Sequence, residues 1–397
     1  MQINPLNLFI EINNSEFVFV VVESVDDNNS KIIFIENIPI QGIKDNKIFD
    51  YNLILTIFKE KIYLLEKKLN FIFKHAVIII DNFDCSIISF SGHKKLNGSQ
   101  LMKENITYIL NFLKSKINEI ENKKTILHIF NTKFVLDDKE MMNLPIGLFG
   151  NSYCHELSFF LINNNDHQNL QQIFNECNLK VKKIISKNFI EGATLIKSNY
   201  NINNLFKIEI SEDVSKVIFI ENSSLKYTQE FKFGSNLIIY DISKVTGLKI
   251  DTIKNILNNS DFSNNKSEDL IETNYFKNDN YRKISKKLIT NIAKARIEEL
   301  SEIILLKNIN MKYFLEKNPV IFLKLNDIMI HKKFINSFKF FLSKNSVFIL
   351  RIIENEEFNN LYLNANEIVQ FGWKKEAVPF ISEKKSILAR LFNYLFD

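Results

Sequence analysis

The fold is decided by Leu8–Glu23, "LFIEINNSEFVFVVVE", in which two apolar runs flank the polar turn "NNSE". Runs rich in Val, Ile and Phe on either side of a short polar turn predict a β-hairpin, here with strands at Leu8–Ile12 and Phe17–Glu23. A third run follows at Lys31–Ile38, and the spacing of apolar residues over Tyr51–Lys68 predicts an amphipathic helix. The chain is therefore expected to begin with a three-stranded meander and a crossover helix.

The same order of elements recurs in the second half of the chain. Three further apolar runs predict strands at Leu205–Ile210, Ser215–Ile220 and Lys226–Phe233, and Ser235–Val245 again predicts a helix. A repeated meander with a crossover helix indicates a duplicated α/β fold with a cleft between its halves.

The segment Cys85–Asn165, between these halves, is predicted to form a small α/β unit of its own. Strands are predicted at "CSIISFSG", "KTILHIF" and "YCHELSFFLI", and a helix over Leu101–Ile120. The longest helical pattern is Arg282–Lys307. The predicted parts are a first half at 1–84 and 166–200, an inserted subdomain at 85–165, a second half at 201–250 and 315–371, a helical subdomain at 251–314, a linker at 372–383 and a terminal helix at 384–397.

Composition limits the classes of function. A chain of 397 residues with 46% hydrophobic content can form two domains with real cores. Its net charge of +5 is small and its basic residues are dispersed, which argues against nucleic-acid binding. The three cysteines form no C-x-x-C pair, as expected of a reduced chain. The first residues lack a signal-peptide pattern, and the longest apolar run, Phe17–Val22, is far shorter than the roughly 20 residues that span a bilayer. We therefore expect a protein that is neither exported nor transmembrane.

Few residues are suited to phosphate, metal or nucleophilic chemistry. The nine glycines, about a third of the usual share, are all isolated, whereas phosphate-binding turns need glycines that let backbone N–H groups approach the phosphate. Glu212 and Asp213 stand in the turn of the second meander, where two carboxylates repel a polyphosphate unless a divalent metal bridges them. The adjacent Cys154 and His155 are predicted to be a buried cysteine and a surface histidine, not a catalytic pair. No catalytic or metal site is predicted.

The stretch Glu383–Asp397, "EKKSILARLFNYLFD", predicts an amphipathic helix. Its apolar stripe needs a cover, which is either a membrane surface or the protein's own surface. The side chains predicted to enter a membrane are Ile387, Leu388, Leu391, Phe392, Leu395 and Phe396. The basic side chains that would add attraction to an anionic membrane surface are Lys384, Lys385 and Arg390.

Five segments, in this order, resemble FtsA, the family of bacterial actin-like cell-division proteins. They are "ISFSGHKK" (Ile88–Lys95), "NLPIGLFG" (Asn143–Gly150), "NFIEGATLI" (Asn188–Ile196), "FKFGSNLIIYDIS" (Phe231–Ser243) and "IAKARIEELSEII" (Ile292–Ile304). The resemblance implies a duplicated actin-like (ribonuclease H-like) fold with an inserted small subdomain and a C-terminal amphipathic helix. It also implies a filament-forming adaptor that anchors FtsZ to the inner face of the cytoplasmic membrane at the division site and meets other division proteins.

The resemblance further implies a binding site for the acidic C-terminal peptide of FtsZ near the long helix, with Arg282 and Arg296 as the matching positions. Both are arginines in a chain that prefers lysine, and a planar guanidinium group suits bidentate contact with a carboxylate. The alternative is that Arg296 pairs with Glu299, one turn along its own helix.

The chain departs from the family at the ATP site. The aligned loop positions that lack the family's residues are Glu11, Asn13, Asn14, Ser211, Glu212, Asp213 and Asn326. Added Cβ atoms block close backbone approach and the acids add repulsion, so ATP and Mg, which the family implies, are predicted to bind weakly or not at all. An alternative is that side chains such as Lys216 and Lys324 replace the backbone donors.

Two other functions stay open. An active actin-fold ATPase would need the phosphate glycines that this chain lacks. An adaptor of another envelope machine, of the pilus-assembly type, is not expected to end in an amphipathic helix. We therefore favour a non-catalytic, FtsA-like membrane tether.

Overall fold

The structure is a computed structural model. It describes residues 5–26, 29–44, 46–81, 83–199, 201–262, 269–276, 279–343, 348–353 and 360–377, so the predicted terminal helix lies outside the described residues. The chain divides into two compact units, one of Met1–Ile185 with Glu367–Asp397 and one of Ser186–Asn366.

The first unit opens with the predicted meander and helix. Its elements are β1 (Leu6–Ile12), β2 (Glu16–Asp26), β3 (Asn29–Pro39), β4 (Ile43–Lys44), β5 (Lys47–Ile48), α1 (Tyr51–Leu69) and β6 (His75–Ile80). Strand β1 pairs antiparallel with β2 and parallel with β6. Because strand side chains alternate, Phe17 and Phe19 lie on one face of β2, and their rings contact Phe58 of α1 at centroid distances of 5.1 and 5.5 Å. The crossover helix therefore packs on the meander.

The inserted subdomain follows as a sheet with one helix. Its elements are β7 (Cys85–Lys95), α2 (Lys103–Ile120), β8 (Lys124–Leu136), β9 (Lys139–Met141) and β10 (Ser152–Asn163). The strands pair antiparallel in the order β7-β10-β8-β9. Helix α2 approaches the sheet closely at Gly92, where an added Cβ would lie 2.4 Å from Cγ2 of Ile109. The chain then returns through α3 (Asn164–Glu176) and β11 (Lys180–Ser186) to the first sheet, whose order is β11-β6-β1-β2-β3.

The second unit repeats the plan of the first. Its elements are α4 (Lys187–Ser198), β12 (Leu205–Ile210), β13 (Ser215–Glu221), β14 (Ser224–Phe231), α5 (Asn236–Thr246), α6 (Ile250–Asn259), a 3-10 turn (Thr273–Tyr275), α7 (Lys286–Ser301), a π-helical turn (Glu302–Leu306), α8 (Ile309–Leu315), β15 (Val320–Leu325), α9 (Ile328–Ser343), β16 (Leu350–Ile352) and α10 (Leu361–Phe371), in which the boundary between the units falls. Its sheet has the order β14-β13-β12-β15-β16. Strand β12 pairs antiparallel with β13 and parallel with β15, as β1 does with β2 and β6. The predicted duplicated α/β fold is confirmed.

Two local predictions differ from the structure. The long helix begins at Lys286 because the Ser285 hydroxyl caps it, accepting the N–H of Leu288 at 3.2 Å, so Arg282 precedes the helix. The prediction for Cys154 and His155 was wrong, since His155 is buried and Cys154 is half-buried. The reason is strand alternation: His155 shares the face of β10 that carries Leu157 into the core of the inserted subdomain.

Candidate functional site

The turn between β1 and β2 satisfies its own backbone donors. The side-chain oxygen of Asn13 accepts the N–H groups of Ser15 and Glu16, each at 2.9 Å, and the N–H of Asn13 donates to the carbonyl of Glu16 at 3.2 Å. The amide of Asn13 also donates to the carboxylate of Glu11 at 3.1 Å. A phosphate loop presents such N–H groups outward, whereas here three of them point to acceptors within the turn.

The turn between β12 and β13 is closed against the start of α5. The N–H of Ser211 donates to the carbonyl of Val214 at 2.9 Å. The N–H groups of Ser235 and Asn236 donate to the carbonyls of Ser211 and Glu212, both at 2.9 Å. Donors at the start of a helix are the groups that bind anions in many proteins, and two of those beside α5 are used by this turn.

Gly234 makes this closure possible. A Cβ at this position would lie 2.1 Å from the carbonyl oxygen of Ser211 and 2.6 Å from that of Glu212. No side chain fits there, so the glycine required by the site lies opposite the turn and not in it. This glycine lies in "FGSN" (Phe233–Asn236), outside the two turns in which phosphate-binding glycines are expected.

A third segment, between β15 and α9, joins the same turn. The amide of Asn326 donates to the carboxylate of Glu209 at 2.7 Å and to the hydroxyl of Ser211 at 2.9 Å. Asp327 caps α9 by accepting the N–H of Ile330 at 3.1 Å, and it accepts the hydroxyl of Ser235 at 2.7 Å. Three segments of the second unit are thus tied together by direct side-chain hydrogen bonds.

A buried ion cluster lies beneath this turn. The ammonium group of Lys207, a residue only 2% exposed, pairs with the carboxylates of Glu191 on α4 and Glu209 on β12. The ammonium group of Lys324 lies 3.5 Å from the second oxygen of Glu209. Burial opposes ionisation of Glu209, but Lys207 and Lys324 outweigh it and hold the pKa of Glu209 well below its usual range. Burial likewise opposes ionisation of Lys207, yet the two carboxylates raise its pKa.

The predicted loop positions are divided between the two units. Glu11, Asn13 and Asn14 belong to the first unit, and Ser211, Glu212, Asp213 and Asn326 belong to the second. Glu212 and Asp213 are exposed, and Asp213 accepts the side-chain amide of Asn236 at 2.9 Å. Within the described part of the chain, no group of three or more histidine, cysteine, aspartate or glutamate residues could hold a metal ion.

Both predicted peptide-binding arginines contact α5. Arg282 donates to the carbonyl of Thr246 at the end of that helix at 3.1 Å. Arg296 on α7 pairs with Asp241 in the middle of α5 and with Glu299 on its own helix, both at 2.5 Å. The Arg296–Glu299 pair predicted as the alternative is therefore present. The hydrogen bond to Asp241 is the main factor that raises the pKa of Arg296.

The predicted membrane-binding positions, from Lys384 to Phe396, lie outside the described residues. Among the helices that the structure describes, none is both long enough and apolar enough to cross a bilayer.

Sequence comparison finds that the chain is similar to proteins named Cell division protein FtsA. A Cell division protein FtsA from Buchnera aphidicola subsp. Acyrthosiphon pisum is 23% identical over 248 residues, which are 62% of this chain and 59% of the relative. A Cell division protein FtsA from Bacillus subtilis is 18% identical over 311 residues, 77% of this chain and 70% of that protein. The chain thus spans less than two thirds of the Buchnera relative. No protein-family model matches the chain.

Structure comparison agrees on the fold. A chain of the PilM-PilN type IV pilus biogenesis complex superposes with a TM-score of 0.50 at 10% identity, covering 93% of this chain and 96% of that one. At this identity the likeness concerns the fold alone. By sequence this chain is similar to the FtsA cell-division proteins, and its fold is actin-like.

Proposed function

We propose that this chain is a non-catalytic, actin-like cell-division protein that tethers FtsZ to the inner face of the cytoplasmic membrane. The observation that carries the proposal is its similarity to proteins named Cell division protein FtsA over 62% of its length. The proposal includes self-association into filaments and contact with other division proteins.

The absence of ATP turnover is the second part of the proposal. It is supported by the two closed turns, in which backbone donors meet acceptors of the protein itself. It is also supported by Glu209, whose charge is already balanced by Lys207 and Lys324. A carboxylate balanced in this way has little need of a bound cation.

The third part of the proposal concerns the contacts with two partners, FtsZ and the membrane. Arg282 and Arg296 are the proposed contacts for the acidic FtsZ peptide, and carboxylates of the peptide would have to compete with Asp241 and Glu299 for Arg296. The stripe of Ile387, Leu391 and Leu395 is the proposed membrane contact.

Sedimentation with anionic vesicles tests the tether. We expect the full chain to sediment with the vesicles and to bring FtsZ with it. Leu391→Glu should weaken vesicle binding at least tenfold, because burying a leucine contributes about 1.5–3 kcal/mol and tenfold corresponds to about 1.4 kcal/mol. Asn393→Glu, on the polar side of the predicted helix, is the matched control and should change binding little.

The same experiment tests the peptide contact. Arg296→Ala should abolish recruitment of FtsZ while leaving vesicle binding intact, and Lys294→Ala, an exposed change on the same helix, should leave both intact. If vesicle binding survives Leu391→Glu, the tail is not the membrane contact. If vesicles bind the chain but FtsZ stays in solution, an adaptor of another envelope machine becomes the better assignment.

A further inference from the structure

Residues 375–377, at the start of the predicted linker, lie along the outer edge of β8 and form a β-bridge with it. Glu376 pairs antiparallel with Phe130. The N–H of Asn131 donates to the carbonyl of Lys375 and the N–H of Ala377 donates to the carbonyl of Ile129, both at 2.7 Å. Strand β9 covers β8 only over Phe134–Leu136, so this part of the edge is covered by the segment 375–377.

The contact is specific for side chains as well as backbone. The Glu376 carboxylate accepts the ring N–H of His128 at 2.7 Å and the ammonium group of Lys183 at 2.8 Å. His128 is fully buried and the side chain of Glu376 is 10% exposed, so the contact excludes water. Although burial opposes ionisation, His128 and Lys183 lower the pKa of Glu376 to about 2.

The residues on either side of Glu376 also have defined places. The ammonium group of Lys375 lies 5.0 Å from the centre of the Phe134 ring and donates to the carbonyl of Met142 at 3.2 Å. Ala377 packs against the core of the inserted subdomain. The contacts at this edge therefore suit a segment with a lysine, a central carboxylate and a small apolar residue, which is the sequence Lys-Glu-Ala of residues 375–377.

The connection to the segment is short and permits a change of direction. Helix α10 ends at Phe371, and Gly372 follows with φ +78° and no atom within 4 Å of an added Cβ. Glycine adopts such a φ without strain, and the open space around it leaves room for a different path. A second copy of the chain offers an identical segment, and exchange of identical elements between copies is a low-cost route to association.

We propose that the β8 edge over Ile129–Asn131 is a docking site whose occupant can be exchanged. Residues 375–377 of the same chain occupy it in a monomer, and residues 375–377 of a second copy occupy it in a dimer. Docking within the chain dominates in dilute solution because a short linker holds the segment at a high effective concentration. Docking between chains takes over when the internal contact is broken or when many copies are held close together. The inference is independent of the division role proposed above.

Two charge reversals in the full-length chain test the proposal. Glu376→Arg changes the segment and leaves the docking site intact. Lys183→Glu leaves the segment intact and changes the site, because Lys183 on β11 supplies the cation that Glu376 meets when it is docked. Each variant alone should be monomeric, and the amides of Asn131 and Ala377 should exchange hydrogen at least tenfold faster than in the unmodified chain. An equimolar mixture should form a dimer in sedimentation and recover slow exchange at both amides.

Two controls separate docking from general charge effects. The double variant Lys183→Glu/Glu376→Arg restores an opposite-charge pair within one chain, so it should stay monomeric with slow exchange. Reversal of the Lys133–Glu140 pair, whose side chains are 36% and 51% exposed, should change neither amide. The proposal is overturned if the single reversals leave exchange unchanged, or if exchange accelerates and the mixture stays monomeric.

A milder variant covers the case in which the reversals unfold the chain. Glu376→Gln removes only the charge, and a synthetic peptide of residues 372–377 replaces the second copy. The peptide should slow exchange at Asn131 in this variant, while a peptide with glutamine in place of its glutamate should not. No effect up to about 1 mM peptide, an effective concentration typical of short linkers, would overturn the proposal.

Discussion

Lys207 lies on β12 between Phe206 and Ile208, whose side chains enter the main core of the second unit. Because strand side chains alternate, Lys207 points to the opposite face, where its ammonium group meets Glu191 and Glu209. Removing an ion from water costs several kcal/mol, and the attraction within the cluster offsets that cost only while every member is present.

We expect Lys207→Met to lower the free energy of unfolding of the second unit by about 3–5 kcal/mol, because it leaves two carboxylates close together with one ammonium group fewer. Urea unfolding followed by a probe in the second unit measures the change. Lys116→Met is the matched control, since Lys116 pairs with Glu119 at 2.7 Å on the exposed surface of α2 and should change stability by less than about 1 kcal/mol. A similar small change for Lys207→Met would contradict the role of the cluster.

The charge pair within one helix was predictable from the sequence, whereas the pairs between elements were not. The Arg296–Glu299 contact follows from helix geometry, because residues three apart face each other. Arg296 also pairs with Asp241 on another helix, and Lys207 pairs with Glu191 on α4. Such pairs cannot be predicted from periodicity, because periodicity shows which face of an element is buried but not which element packs against it. Lys207 itself could have been suspected, since a lysine alternates with apolar residues in "LFKIEI".

The start of helix α5 packs directly against the turn between β12 and β13. Their contact depends on Gly234, beside which lie the carbonyl oxygens of Ser211 and Glu212. Backbone atoms cannot move aside as a flexible side chain can, so overpacking at this point shifts the helix or the turn.

We expect Gly234→Ala to destabilise the second unit by about 1–3 kcal/mol, the usual cost of overpacking, and to accelerate hydrogen exchange at the amides of Ser235 and Asn236. Gly92→Ala is the comparison, because its added Cβ would meet side-chain atoms of Ile109 and Leu113, whereas a Cβ at Gly234 would meet backbone carbonyl groups. Unchanged exchange at both amides in Gly234→Ala would show that the turn and the helix are not held through this contact.

At the scale of elements, the meanders were predictable and the ends of helices were less so. The strand Leu205–Ile210 was predicted with its observed bounds, since Phe206, Ile208 and Ile210 alternate with charged residues as the two faces of a strand require. The start of α7 depends on one capping hydroxyl, at Ser285, which the apolar pattern does not report. The β-bridge at Glu376 could not be predicted, because the charged residues around it have no strand pattern and its partner, Phe130, lies far away along the chain.

At the scale of the whole molecule, each unit has a hairpin turn at which backbone N–H groups meet acceptors of the protein itself. The first unit reaches this state through the side chain of Asn13, and the second through the start of α5. Different contacts occupy backbone N–H groups at the two turns. This agreement supports the proposal that phosphate binding is lost. The missing glycines and these hydrogen bonds both support the proposal that ATP binds weakly or not at all.

We therefore expect the full chain to show no saturable binding of Mg-ATP up to about 1 mM, where the binding free energy would be only about −4 kcal/mol. Calorimetric titration measures this directly. The triple variant Asn13→Gly/Glu212→Gly/Asp213→Gly frees the N–H groups of Ser15 and Glu16 and removes two carboxylates, so any gain in ATP affinity should appear in this variant. The control is Asp138→Gly, which removes an exposed acid from the turn between β8 and β9 and should give no gain. Micromolar binding by the unmodified chain would show instead that side-chain donors such as Lys216 and Lys324 have replaced the backbone donors, and the protein would then have to be regarded as a nucleotide-dependent member of its fold.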